Sequence, residues 1–110
     1  MKHVYLIQVE GTDIYKIGFT KSNPSNRVKA LQTGNPFKLV LVNSYSTLRA
    51  TKVESALHNR YATYKVNEDE YKLQGEWFKF DNETVKNFKS ICESIDNNFK
   101  IIEEMSTLYN

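Results

Sequence analysis

Apolar positions along the chain follow two periods. Val4 to Val9 (V-Y-L-I-Q-V) and Ile14 to Thr20 (I-Y-K-I-G-F-T) are rich in the branched and aromatic residues that suit a pleated strand, and Glu10-Gly11-Thr12-Asp13 between them reads as a turn. The pattern predicts a β-hairpin, with two registers open. If Glu10 pairs with Ile14, Tyr5 faces Phe19 and the side chains of Tyr5 and Tyr15 share a face. If Val9 pairs with Ile14, the two tyrosines point opposite ways, because a one-residue slip turns a strand over. Phe37 to Tyr45 predicts a third strand, and its nearly continuous apolar centre argues for a central or well-covered position.

Helical spacing takes over elsewhere. Ser25 or Asn26 caps a short helix from Arg27 to Gln32, stopped by Thr33-Gly34-Asn35-Pro36. Ser46 or Thr47 opens a helix over roughly Leu48 to Tyr64, with Val53, Leu57, Tyr61 and Tyr64 along one face. Val66 to Gly75 is polar and acidic and reads as a mobile loop, and Trp77 to Phe80 either adds a strand or plugs a sheet edge. Asp81-Asn82-Glu83 signals a helix start, after which Val85, Phe88, Cys92, Ile95, Phe99 and Ile102 form a helical stripe with a break allowed near Asn97-Asn98. The expected fold is α+β: a small, mainly antiparallel three-stranded sheet, built from the hairpin and a third strand, flanked by helices. Residues 1–80 would form the functional part, with a C-terminal helix over 81–110 packed on the same domain.

Composition narrows the class. With 110 residues, 40% of them hydrophobic, the chain suits one domain with its own core. The lone Cys92 excludes an internal disulfide and a thiolate zinc cluster. Without a long apolar run or a signal-peptide pattern at Met1-Lys2-His3-Val4, the expected address is the cytoplasm, without membrane partners. Charge is divided: Met1 to Val66 carries ten Lys/Arg against three Asp/Glu, and Asn67 to Asn110 five against ten. A basic N-terminal part is the footprint of a surface that meets phosphates.

Three segments then acquire meaning together: Val4-Tyr5-Leu6-Ile7, Tyr15-Lys16-Ile17-Gly18-Phe19-Thr20, and Arg27-Val28-Lys29-Ala30-Leu31-Gln32-Thr33-Gly34. In this order they resemble the GIY-YIG nuclease superfamily, over Val4 to about Phe80. Glu54-Ser55-Ala56-Leu57-His58 and Gly75-Glu76-Trp77-Phe78 are similar to a compact, phage-associated branch of it. The first signature keeps only its tyrosine, the second reads Y-K-I-G, and the asparagine that some relatives carry near the domain end has no counterpart.

The resemblance implies a metal-dependent endonuclease that hydrolyses phosphodiester bonds of double-stranded DNA, in the host cytoplasm if phage-encoded. Glu54 would hold one Mg2+, with Mn2+ as an alternative, since magnesium commonly uses only one or two protein carboxylates. Arg27, at a helix start, would hold the scissile phosphate together with free backbone N–H groups. Tyr5 and Tyr15 would serve the attacking water and the phosphate, which requires the shared-face register. A tyrosine with its ordinary pKa near 10 acts as a base only beside a cation or metal-bound water. His58, four residues after Glu54, would orient water, shuttle a proton or touch the phosphate. Lys16, Lys21 and Lys29 are candidate nucleic-acid contacts or plain surface charge, Glu76 is a supporting acid or a turn residue, and Trp77 and Phe78 close the core rather than stack on bases. DNA is the expected partner, with a homodimer or a targeting protein as further options. A non-catalytic nucleic-acid- or protein-binding module on the same fold is the alternative.

Overall fold

The hairpin forms, and its turn sets the register. In the computed structural model, which describes residues 1–73 and 75–109, β1 (Lys2–Val9) and β2 (Ile14–Thr20) pair antiparallel. Thr12 closes the connection: its hydroxyl donates to the Val9 carbonyl (2.7 Å) and accepts from the Ile14 N–H (3.1 Å), while Gly11 takes the left-handed conformation, φ 76°. Glu10 to Asp13 is thus a four-residue loop, and Gln8 lies opposite Tyr15 and Tyr5 opposite Gly18. This is the register that sends Tyr5 and Tyr15 to opposite faces, so the shared-face arrangement is not formed.

The sheet has four strands rather than three, which corrects the fold expected from the sequence. β3 (Leu39–Thr47) pairs with β1, and β4 (Trp77–Lys79) pairs with β2, giving the order β3-β1-β2-β4 with every pairing antiparallel. β4 is the short Trp77-Phe78-Lys79 segment, and it delivers buried Trp77 and Phe78 to opposite faces. β3 lies at an edge, half covered, whereas the interior positions belong to β1, where Val4 to Ile7 are all buried, and to β2. Its apolar centre therefore reflected partial cover at an edge.

Five α-helices surround this sheet among the described residues. α1 (Pro24–Gln32) begins earlier than the sequence suggests because Asn23 caps it, accepting from the Ser25 N–H, with Pro24 in the first turn. α2 (Ala50–Arg60) places Ala50, Val53 and Leu57 against the sheet, and a short 3-10 turn, Ala62–Tyr64, leaves Tyr64 more than half exposed. The stretch expected to be a mobile loop contains a one-turn helix, α3 (Glu68–Tyr71), capped by Asn67, and buries Leu73; its Gln74 lies outside the described residues. Asp81 caps α4 (Asn82–Lys86), and α5 (Phe88–Tyr109) follows after Asn87. The helical break falls there, and α5 runs unbroken through Asn97-Asn98; Asn110, at the end of the predicted helix, lies outside the described residues.

Each sheet face has its own core. On one, Val4, Leu6, Tyr15 and Ile17 pack with Val53 and Leu57 of α2, Phe78, Phe80, and Phe88 and Cys92 of α5. On the other, Tyr5, Ile7, Val9 and Ile14 pack with Leu39, Leu73 and Trp77, and with Val28 and Leu31 of α1. Two opposed apolar faces require the alternation seen in β1 and β2, and burying both supplies the main driving force for the fold. α5 is tied to β3 by polar contacts as well: Asp96 accepts from the Tyr45 hydroxyl (2.7 Å) and from Arg49 (3.2 Å), and Arg49 also bonds Glu103.

Candidate active site

β4 covers only part of β2, and the site forms where it stops. The last rung is Lys16↔Trp77; the next carbonyl along β2, that of Ile17, accepts a hydrogen bond from His58 Nε2 instead (2.7 Å). At this open edge side chains from both faces converge on one cavity of about 250 Å³, lined by Tyr5, Lys16, Ile17, Gly18, Phe19, Arg27, Glu54, His58 and Glu76. Tyr5 and Lys16 reach it from the α1 side of the sheet, Arg27 from α1 itself, and Glu54 and His58 from successive turns of α2.

Gly18 is the gap through which Tyr5 arrives. A Cβ at position 18 would lie 2.2 Å from the Tyr5 hydroxyl oxygen and 2.4 Å from the ring carbon that bears it. Only a residue without a side chain lets the phenol lie across the strand. The glycine of Y-K-I-G thus serves a close approach between side chain and backbone.

Arg27 sits in the second turn of α1, and its backbone N–H already donates to the Asn23 carbonyl (3.2 Å). The expected pairing of its guanidinium with free helix-start N–H groups is therefore not formed, because capping by Asn23 moves the helix start upstream. The guanidinium itself faces the cavity, as does the Lys16 ammonium, and neither has a salt-bridge partner among the described residues. Burial, and then repulsion from Arg27, push the Lys16 ammonium below its ordinary pKa, against attraction from Glu76, Glu54 and Glu68. Lys16 and Arg27 thus bring two cations without ion-pair partners among the described residues into a cavity that also holds the carboxylates of Glu54 and Glu76.

The acids divide in character. Burial holds the Glu54 carboxyl above its ordinary range, with Glu76 adding repulsion and His58 and Lys16 opposing both. Its nearest basic partner is His58 Nε2 at 3.6 Å, beyond hydrogen-bond reach. Glu76 is drawn the other way: hydrogen bonds from Lys65 (2.9 Å) and from His58 hold it below the ordinary carboxylate range. His58 thus has Glu76 at Nδ1 and the Ile17 carbonyl at Nε2, with its ring edge-on to Phe78 at 5.2 Å, and offers no free nitrogen to a metal. Among the described residues no three His, Cys, Asp or Glu side chains gather into a metal cage. Glu54 is the one carboxylate of the cavity not committed to a hydrogen bond, which suits an ion that keeps most of its waters, such as Mg2+, better than zinc or calcium.

A family model, the T5orf172 domain, matches residues 2–93. The chain belongs to the T5orf172 domain family. Comparison with the curated proteins and with the solved structures gives no match. The T5orf172 domain is phage-associated and nucleic-acid-related, and the matched span contains the whole sheet and every residue that lines the cavity.

Of the residues singled out from the sequence, the T5orf172 domain brings Tyr5, Lys16, Arg27, Glu54 and His58 together and leaves three outside the cavity. Tyr15 points to the opposite face, stacked on Phe80 with centroids 5.8 Å apart and accepting from Gln8 (3.2 Å). Burial, and then Asp13, push its hydroxyl above the ordinary tyrosine value, the wrong direction for a base. Lys21 and Lys29 are exposed, away from the cavity lining. Lys16 takes the place expected for Tyr15, and Glu76 joins as the brace of His58. The period of two along β2 held the signal for Lys16, since the neighbour of Tyr15 must face the other way. No helix among the described residues is long and apolar enough to cross a membrane.

Proposed function

We propose that this T5orf172 domain is a magnesium-dependent endonuclease of the GIY-YIG type that hydrolyses phosphodiester bonds in double-stranded DNA. The observation that carries the reading is the single cavity shared by the two unpaired cations, Arg27 and Lys16, the uncommitted carboxylate of Glu54 and the hydroxyl of Tyr5. Phosphodiester hydrolysis needs a positioned water, countercharge at the phosphoryl oxygens and relief of charge on the leaving oxygen.

Each need has a group. Arg27 takes two phosphate oxygens with its planar fork, a geometry lysine does not offer, and Lys16 adds a point charge from the strand. Tyr5, fixed by its passage over Gly18, orients the attacking water through its hydroxyl. Glu54 would hold the Mg2+, which when bound would supply charge neutralisation at the phosphate and acidify water. His58, braced by Glu76 and the Ile17 carbonyl, keeps that wall of the cavity rigid beside Glu54. Water adds to phosphorus as the bond to the leaving oxygen breaks; the attacking water gives its proton to solvent, and the leaving oxygen, its charge countered by Lys16, takes one from solvent, by direct hydrolysis.

A second reading, a DNA-binding module without chemistry, has one observation in its favour: the lack of a multi-residue metal cage among the described residues. Incubation of supercoiled plasmid with the purified protein separates the two. Nicking or linearisation in Mg2+ that EDTA abolishes is the expected result; salt-sensitive DNA binding without cleavage in Mg2+ or Mn2+ overturns the catalytic reading.

A further inference from the structure

A second cavity, of about 420 Å³, adjoins the first on the α1 side of the sheet. Its walls are the last turn of α1 and the loop after it, Ala30, Leu31 and Thr33 to Pro36, faced by Lys72 and Gly75, with Lys16 and Trp77 completing the lining. Lys16 belongs to both cavities, with its ammonium 5.4 Å from the centroid of the Trp77 ring. A molecule bound in one cavity therefore meets the other across a single ammonium group.

The lining has the chemistry of a polyanion's backbone. Among its described residues there are two ammonium groups, Lys16 and Lys72, and no carboxylate. Gly34 and Gly75, both with positive φ, keep side chains out of the space; a Cβ at Gly34 would meet nothing within 4 Å, whereas one at Gly75 would press on the Lys16 ammonium at 2.9 Å. The loop is also braced rather than loose. Gln32 donates from Nε2 to the Phe37 carbonyl (2.8 Å) and accepts the Leu39 N–H at Oε1 (2.8 Å), stapling the loop to the start of β3, and Asn35 Oδ1 accepts from the Phe37 N–H (2.9 Å). A preformed cavity loses less conformational freedom on binding.

We infer that this second cavity is the subsite for the sugar-phosphate of the nucleotide adjoining the scissile bond, so that the cleaved strand runs from the Arg27 and Glu54 cavity, past Lys16, along the Thr33–Pro36 loop toward Lys72. The inference rests on the nuclease reading for its direction and adds the path of the substrate. It assigns Lys72 and the wall at Ala30 to DNA binding, and Gly75 to keeping the Lys16 ammonium free between the two cavities.

The test uses the intact chain and plasmid DNA, with Ala30→Glu and Lys72→Glu compared with Lys89→Glu, an exposed charge reversal on α5. A carboxylate placed in a phosphate subsite repels the strand without touching the reacting atoms, so KM rises about tenfold in the first two variants while kcat stays within about twofold. In Lys72→Ala, the slope of log affinity against log salt, read with a fluorescein-labelled duplex in EDTA, falls by about one. Wild-type cleavage with all three glutamate variants behaving alike overturns the subsite and leaves the nuclease reading standing. No wild-type cleavage, but duplex binding weakened by Ala30→Glu and Lys72→Glu beyond the control, keeps the cavity as a DNA contact and overturns the nuclease reading. Neither cleavage nor binding overturns both.

Discussion

The passage of Tyr5 over Gly18 makes Gly18→Ala the most informative single substitution. The added methyl would stand 2.2 Å from the Tyr5 oxygen, where ordinary contact begins at 3.4 Å, so the hydroxyl must withdraw by about 1 Å. Tyr5 is 2% exposed and packed among Ile7, Val28 and Trp77 in the core of that face, which leaves the ring no direction except further into the cavity that it already lines. Overpacking of this kind costs about 1–3 kcal/mol. For a domain of this size that corresponds to a fall in Tm of roughly 4–12 °C, read by circular dichroism or scanning fluorimetry. Displacement of a reacting group by about 1 Å also costs on the order of 10²-fold in rate, so DNA cleavage measured well below the variant's Tm should fall by that factor. A Tm within about 1 °C of wild type together with unchanged cleavage would refute the placement of Tyr5, and with it the geometry of the cavity. A lowered Tm with full cleavage would retain the packing and remove Tyr5 from the chemistry.

Three further outcomes are expected. Lys16→Met should lower kcat by about 10²–10³-fold, whereas Tyr15→Phe, losing only the hydrogen bond from Gln8, should cleave within about twofold of wild type and lose at most about 1 kcal/mol of stability; the reverse ranking would overturn the register argument. Because burial raises the Glu54 pKa in the fold, its ionisation weakens the metal-free protein; that cost is full above the raised value and vanishes as pH falls toward the unfolded one. Glu54→Gln should therefore melt higher than wild type at pH 7 without divalent metal, and the gain should fade in acid, a comparison made by thermal melts across pH. At Asp96, burial raises the pKa but hydrogen bonds from Tyr45, Thr47 and Arg49 together bring it below the ordinary value. Its contribution is thus present above the unfolded carboxylate range and lost as pH falls through the folded value. Asp96→Asn should cost about 1–3 kcal/mol at neutral pH in urea unfolding, with the difference shrinking in acid.

The motifs were legible in the sequence because they are local. Hairpin, capped helix and the Glu54 to His58 turn each depend on residues a few positions apart, where periodicity and capping act. Register was not legible, because it turns on how Thr12 spends its hydroxyl, and that one residue decides whether Tyr15 or Lys16 faces Arg27. The fourth strand was open for a similar reason: three residues pair with β2 only because Lys65 and Val66 hold the chain beside Trp77 and Phe78, contacts set by the tertiary fold. The apolar run of β3 left a central and a well-covered strand open, and partial cover by α1 on one face and α5 on the other satisfies the same residues at an edge. For Glu76 the sequence left a supporting acid and a turn residue open, because the partners that decide between them, His58 and Lys65, lie 18 and 11 residues away.

Glu54 and Arg27 acting on one phosphodiester in one cavity sets the single-turnover rate of plasmid cleavage in Mg2+, measured at saturating protein for wild type, Glu54→Gln and Arg27→Ala. Wild-type cleavage reduced by about 10²-fold or more in each folded variant, with duplex binding retained by Glu54→Gln, is the predicted result. Cleavage at wild-type rates by either folded variant would contradict the account.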